Sequence, residues 1–451
     1  MGDEAALSGI YNKFSYSLGQ LHYDTNGFRQ NNDLKHNIYN AFAQYEISPE
    51  VNVQAEYRHR ETEHGDLELQ GDPNVFDADY HRTIDQNSYR GGVRISPTQS
   101  SDLLFSFIHG NREEVNGKRL FDITKTYSYD GEMQYLFHSD NVNTVLGGGL
   151  YRTNNTRLDC TAPPCDLIPY NTTQYLAYLY SNYKPIKSLN LTGGLSYDHY
   201  RDNEVGAALN LSELNPKFGF QWKASKQISF RGAVFKSIKS AIIDNQLLQP
   251  TQIAGFNQFF DDTNGAVAWN YGVGMDTQLH KDVYAGVEAY KRDLKIATGP
   301  ISQKPSEELY RLYLNWTLTS NWAFNSEFRF ENFRSDGSFP GFPKFVETAY
   351  LPTEIRYTHS SGFFSALKGT FVNQRVRLFD GAQDGFNSNF YLVDAAIGYR
   401  FPKQYGLLSL EAKNLFDSSF KYRDRQFQQN EQRSPDFFPE RMLFGRITLN
   451  F

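Results

Sequence analysis

The sequence predicts an all-β fold, a transmembrane antiparallel up-and-down β-barrel of about 20 strands, with 22 as the alternative. Three observations predict it. Aromatic residues make up 16% of the chain, yet the mean hydropathy is −0.59. Many rings in a hydrophilic chain suit a wall that is apolar outside and polar inside. No run of 18 apolar residues occurs, so no helix is available to cross a bilayer. Short segments instead alternate apolar and polar residues, which puts the two kinds on opposite faces of a strand.

The chain divides into a leader over residues 1–8 and a single barrel domain over 9–451. Met1-Gly2-Asp3-Glu4-Ala5-Ala6 has no basic segment and no apolar core, so it is not a signal peptide, and the chain reads as mature or trimmed. The first strand is expected over 10–23 and the second over 34–47. After the turn Ser48-Pro49-Glu50, Val51, Val53, Ala55 and Tyr57 oppose Asn52, Gln54, Glu56 and Arg58. Later segments repeat this: Val283, Ala285 and Val287 oppose Tyr284, Gly286 and Glu288, and Tyr391, Val393 and Ile397 oppose Leu392, Asp394 and Gly398.

Connections alternate in length. Nine are short, among them Ser48-Pro49-Glu50, His138-Ser139-Asp140-Asn141 and Phe401-Pro402-Lys403-Gln404. Ten are longer, near 24–33, 62–82, 112–125, 154–171, 202–213, 238–265, 295–307, 333–345, 376–388 and 417–438. Sorting by length is the topology of an outer-membrane barrel, with short turns on the periplasmic side. An even strand number puts both termini on the short-turn side.

An Arg or Lys on the lipid face costs about 2–4 kcal/mol near the midplane. Charges on strands are therefore expected in the lumen, and the candidates are Glu56, Arg58, Glu288, Arg292, Asp394, Arg400, Glu411 and Lys413. Tyr23, Tyr57, Tyr183, Trp222, Trp316, Trp322 and Tyr399 sit toward strand ends, where amphipathic rings form girdles. Cys160 and Cys165 lie in Cys-Thr-Ala-Pro-Pro-Cys, a spacing that suits a local disulfide in an oxidising compartment. The longest connection, 238–265, carries Ile242, Ile243, Leu247, Leu248, Ile253, Phe256, Phe259 and Phe260. It is expected to fold into the lumen as a constriction or to cap the barrel.

At the end of the chain Leu443, Gly445, Ile447, Leu449 and Phe451 share one strand face. Closure of the cylinder is expected by pairing of this segment with the one beginning near Ile10. The ending resembles the carboxy-terminal signal of bacterial outer-membrane barrels, which implies that Leu443, Ile447, Leu449 and Phe451 are read by the barrel assembly machinery.

Three stretches resemble the barrel of TonB-dependent outer-membrane receptors of Gram-negative bacteria. They are Leu214-Asn215-Pro216-Lys217-Phe218-Gly219-Phe220-Gln221-Trp222 with its partner from Ile228 to Phe235, Glu411-Ala412-Lys413-Asn414-Leu415-Phe416-Asp417, and the terminal strand. The family carries an amino-terminal plug domain and a TonB-contacting box, and its barrel has about 22 strands. Neither the plug nor the box is recognisable here, which weakens the expectation of a TonB contact. The chain reads as a plugless relative or as a fragment of a full transporter.

A barrel this wide is not filled by its own side chains, so a passage for polar small solutes is expected. The alternative is a ligand-binding surface barrel that displays its loops. The expected surroundings are a lipid bilayer and lipopolysaccharide. A formal charge of −6 argues against nucleic acid. No cofactor or catalytic set is expected. His59, Glu61, Glu63 and His64 form the densest acid–histidine cluster, with His64 on the opposite face, and read as a solvated strand end. The charged runs Asn111-Arg112-Glu113-Glu114 and Arg423-Asp424-Arg425 read as hydrated loop segments.

Overall fold

Alternation of side chains dictates an inside-out burial pattern, and the computed structural model shows it. The structure describes residues 1–451 apart from 163, 241, 245, 299–300, 336–342, 380–384 and 425–430. On the strand Asp122–His138, Tyr127 is 50% exposed, Ser128 0%, Tyr129 44% and Asp130 4%. Large rings face out and polar groups face in, the reverse of a soluble sheet. No helix among the described residues is long and apolar enough to cross a membrane.

Antiparallel strands follow one another in chain order, from Gly2–Tyr11, Phe14–Thr25, Leu34–Ser48 and Val51–His64 to Gly406–Lys413 and Met442–Leu449. Among the described residues the sheet has 22 strands, of which Ile301–Gln303 is a short extension folded onto the end of Val283–Thr298. All nine short turns and ten long connections read from the sequence separate strands. The outward rings of Tyr57, Tyr89, His109 and Tyr129 stand side by side on four adjacent strands, with centroid spacings of 5.1, 6.3 and 4.8 Å. Tyr23 departs from the girdle expected of it: its side of the strand faces inward, and it lines an interior cavity with Leu21.

The amino-terminal region differs from the sequence reading. Residues 2–8, expected outside the barrel domain, belong to the sheet: Gly2–Tyr11 is a strand paired along its length with Phe14–Thr25. Asn12 makes the intervening turn possible by adopting a left-handed φ of 52°, which Asn tolerates better than most residues. This extra strand moves the amino terminus to the long-loop end. The expected closure is not seen. Gly2–Tyr11 and Met442–Leu449 now run in the same direction, so they cannot pair antiparallel, and no ladder joins them among the described residues.

Candidate functional site: the barrel interior

Strand alternation places the eight charged residues singled out above on the inward face. Glu56 lies 3.8 Å from Arg90, and Lys413 lies 3.7 Å from Asp394. Glu288 pairs with Arg231, which also reaches Asp276 at 3.4 Å. Arg292 is buried between Asp262 and Glu307, the latter at 2.6 Å. Glu411 accepts a hydrogen bond from Ser409, and Arg400 is exposed at the short-turn end. Arg58 makes no ion pair among the described residues. Sequence reasoning missed a second inward set, on the strands Arg82–Thr98 and Ser101–Asn116: Arg82 lies 2.6 Å from Glu114, and Arg112 lies 2.5 Å from Glu114. The period of two that marks Glu56 and Arg58 marks these as well.

The longest connection, 239–266, enters the lumen as a hairpin. Gln252–Ile253 pairs with Phe256–Asn257 around Ala254 and Gly255, whose φ values are +48° and +89°. Two positive φ values in succession describe a type I′ turn. Ile253 and Phe256 are buried against Phe235 and Leu176 on the wall. The approach is close: a Cβ on Gly219 would stand 2.7 Å from the Ala254 Cβ. Gly219 lies near the short-turn end of Leu209–Lys223, so the tip hangs through most of the barrel. Along the shaft Asp244 accepts hydrogen bonds from Gln86 and Ser88, and Arg90 donates to Gln246 at 3.1 Å. Glu132 accepts from Leu248 N and the Tyr178 hydroxyl, each at 2.7 Å, and Gln134 donates to Leu248 O. Gln249 donates to the Tyr180 hydroxyl at 2.6 Å.

A second pair of connections meets inside. Gln70–Gly71, after Val51–His64, forms a two-residue ladder with Tyr422–Arg423, before Met442–Leu449. The first connection joins the fourth and fifth strands of the sheet and the second leads into its last strand, so this bridge links the two ends of the sheet through the interior. Leu69, Phe420 and Tyr422 pack with Val372, Phe390 and Leu392 of the wall. Asp424 accepts from Leu69 N at 2.7 Å and from Asp436 N. Burial nevertheless pushes its carboxyl up to about 8. Arg423 and Asp424 are therefore buried, not the hydrated run the sequence suggested, and Arg425 lies outside the described residues. Arg112 and Glu114 likewise belong to the strand Ser101–Asn116 and face inward, while Glu113 faces out to Lys125 at 2.9 Å.

Between the hairpin and the bridge, at the long-loop end, lies a cavity of about 630 Å³. His64 and Thr62 line it, on the face opposite His59 and Glu61. On the outer face His59 lies 3.3 Å from Glu61 and 4.0 Å from Asp85, a group with the donor set for a cation. Cys160 and Cys165 form a disulfide in the connection 160–165.

The sequence matches the family described as TonB dependent receptor-like, beta-barrel, over residues 7–298. Among solved structures, the ferric citrate transporter FecA in the unliganded form matches with a TM-score of 0.75 and 13% identity, over 100% of this chain and 75% of that one. The copper transporter OprC matches with a TM-score of 0.75 and 11% identity, over 100% of this chain and 79% of that one. The siderophore receptor PiuA from Acinetobacter baumannii gives 0.70 and 11%, over 93% and 76%. Identities this low speak for the fold alone. No curated protein is matched by sequence. With about two thirds of its length matched by the family, the chain belongs to the TonB-dependent receptor-like β-barrels.

Proposed function

We propose that the chain is a transport barrel of the bacterial outer membrane that passes a polar small solute along its lumen. Short turns face the periplasm and long loops face the outside. Glu56, Arg58, Glu288, Arg292, Asp394, Arg400, Glu411 and Lys413 line the route, and their mixed charges select the solute. Leu443, Ile447, Leu449 and Phe451 present the last strand to the assembly machinery. Lipopolysaccharide meets the polar outer ends of the strands above the row of Tyr57, Tyr89 and Tyr129. The hairpin 239–266 closes the lumen at rest.

One observation carries this reading: the sheet turns rings such as Tyr57, Tyr89 and Tyr129 outward and buries charged groups such as Asp130, Glu132 and Arg292, an arrangement that suits lipid outside and a polar route inside. Conductance across a planar bilayer tests it. The full chain is expected to stay closed or nearly so. A variant with residues 242–260 replaced by a glycine–serine linker is expected to give large, stable steps. A linker variant that migrates as a folded barrel and still passes no current overturns the proposal.

A further inference from the structure

We propose that the cavity at the long-loop end binds a small polycarboxylate by exchanging the loops' own carboxylates for those of the solute. The inference rests on the reading that the lumen admits polar solutes. The volume of about 630 Å³ falls within the range of small-molecule sites. Six basic side chains line it: Arg58, Arg60, Arg82, Arg112, Lys239 and Arg433. Against them stand Asp261, Asp262 and Glu431. None of these three acids belongs to the barrel wall; all come from the connections that fill the lumen.

The loop acids sit where a solute's carboxylates would. Glu431 pairs with Arg60 and lies 3.9 Å from Arg112. Asp261 lies between Lys239 at 3.4 Å and Arg433 at 3.0 Å. Arg433 belongs to the bridge and Asp261 to the hairpin, so that pair fastens one interior loop to the other. Both members are more than a third exposed, so the pair is screened by solvent and holds weakly. A solute carrying two or three carboxylates engages several of these cations at once and outcompetes such a pair. Arg58, which makes no ion pair among the described residues, gives it a first point of capture. Ile242 and Ile243 supply an apolar wall for the carbon skeleton. Occupancy of the cavity thereby removes the Asp261–Arg433 fastening and frees the base of the hairpin.

Calorimetric titration of tricarballylate into the detergent-solubilised full chain tests this. Measurable binding is expected, about tenfold tighter in Asp261→Asn/Glu431→Gln, because the internal competitors are gone, and about tenfold weaker in Arg58→Gln. Glu63→Gln removes one carboxylate charge just outside the wall, and is expected to change affinity by less than about twofold. Absence of binding in every variant overturns the proposal. So does equal tightening by Glu63→Gln, which would make the effect one of overall charge, or an Arg58→Gln protein that binds as the parent does. Binding without conductance in the linker variant would sink solute passage and leave this site standing, while conductance without binding would do the reverse.

Discussion

The bridge and the hairpin both fill the lumen, but they are held by different forces. In the bridge, Leu69, Phe420 and Tyr422 join Val372 and Phe390 in one apolar cluster, with Phe390 and Phe420 stacked at 4.0 Å. Each large side chain buried this way stabilises by roughly 1.5–3 kcal/mol. The fully buried apolar side chains of the hairpin are at its tip, Ile253 and Phe256, with Ile242 only partly buried against the same cluster. Its shaft is held by hydrogen bonds to Gln86, Arg90, Glu132, Gln134 and Tyr180. Such bonds net about 0.5–1.5 kcal/mol each, because water offers an equivalent partner. The difference teaches which element can move. Shaft contacts can be traded for water or solute one at a time, from the base downward. The bridge has to give up its packing all together.

Breaking the bridge should therefore have the largest effect. Tyr422→Ala removes a fully buried ring and is expected to cost the bridge about 3–5 kcal/mol. Hydrogen exchange should then accelerate at Gly71 and Arg423 while the Leu248 amide keeps its protection. Equal acceleration at both places would mean that the two fillers are one cooperative unit. The converse change is Glu132→Ala. It takes the acceptor from Leu248 N, Tyr178 and Tyr151, and leaving those donors unpaired costs about 1–3 kcal/mol. Faster exchange at Leu248 and more frequent opening in a bilayer are expected, with Gly71 unchanged. Protection retained at Leu248 would show that the tip alone holds the hairpin.

The wall was legible in the sequence and its contents were not, for a physical reason. Each strand meets lipid on one side and the lumen on the other, so Val51, Val53, Ala55 and Tyr57 declare the outer face within a few residues. Interior loops carry no such local constraint. Asp424 finds its partner Leu69 at a sequence separation of 355, and nothing near Asp424 announces that it will be buried. Arg423-Asp424 consequently looked like a solvated run. The strand Gly2–Tyr11 escaped notice because Gly2, Asp3, Glu4 and Ser8 interrupt its apolar positions. Counting one strand fewer then carried an error into the expected direction of the two sheet edges. The length and apolar content of 238–265 did point to a constriction in the lumen or a cap over the barrel, but the type I′ turn at Ala254-Gly255 lacks the Asn-Gly or Asp-Gly pair that would reveal a hairpin.

That turn offers the smallest and most local probe of the hairpin's seat. Ala254 holds a left-handed φ of +48°, a conformation that costs a residue with a Cβ roughly 1–2 kcal/mol. The tip tolerates this because the Ala254 methyl fills the space left by Gly219. Gly219→Ala should push the tip from its seat by overpacking, at about 1–3 kcal/mol. Ala254→Gly alone should come close to neutral, since relief of the strained φ is offset by the entropy of glycine, about 0.5–1 kcal/mol, and by the lost methyl contact. The two changes together should recover part of the loss, because removing one methyl makes room for the other. Recovery stays partial, since Ile253 Cγ2 and Gly232 O also stand 3.1 and 3.3 Å from the new Cβ. Exchange at the Phe256 amide reads the series, and a double variant no better seated than Gly219→Ala would show that the tip is not held against this face of the wall.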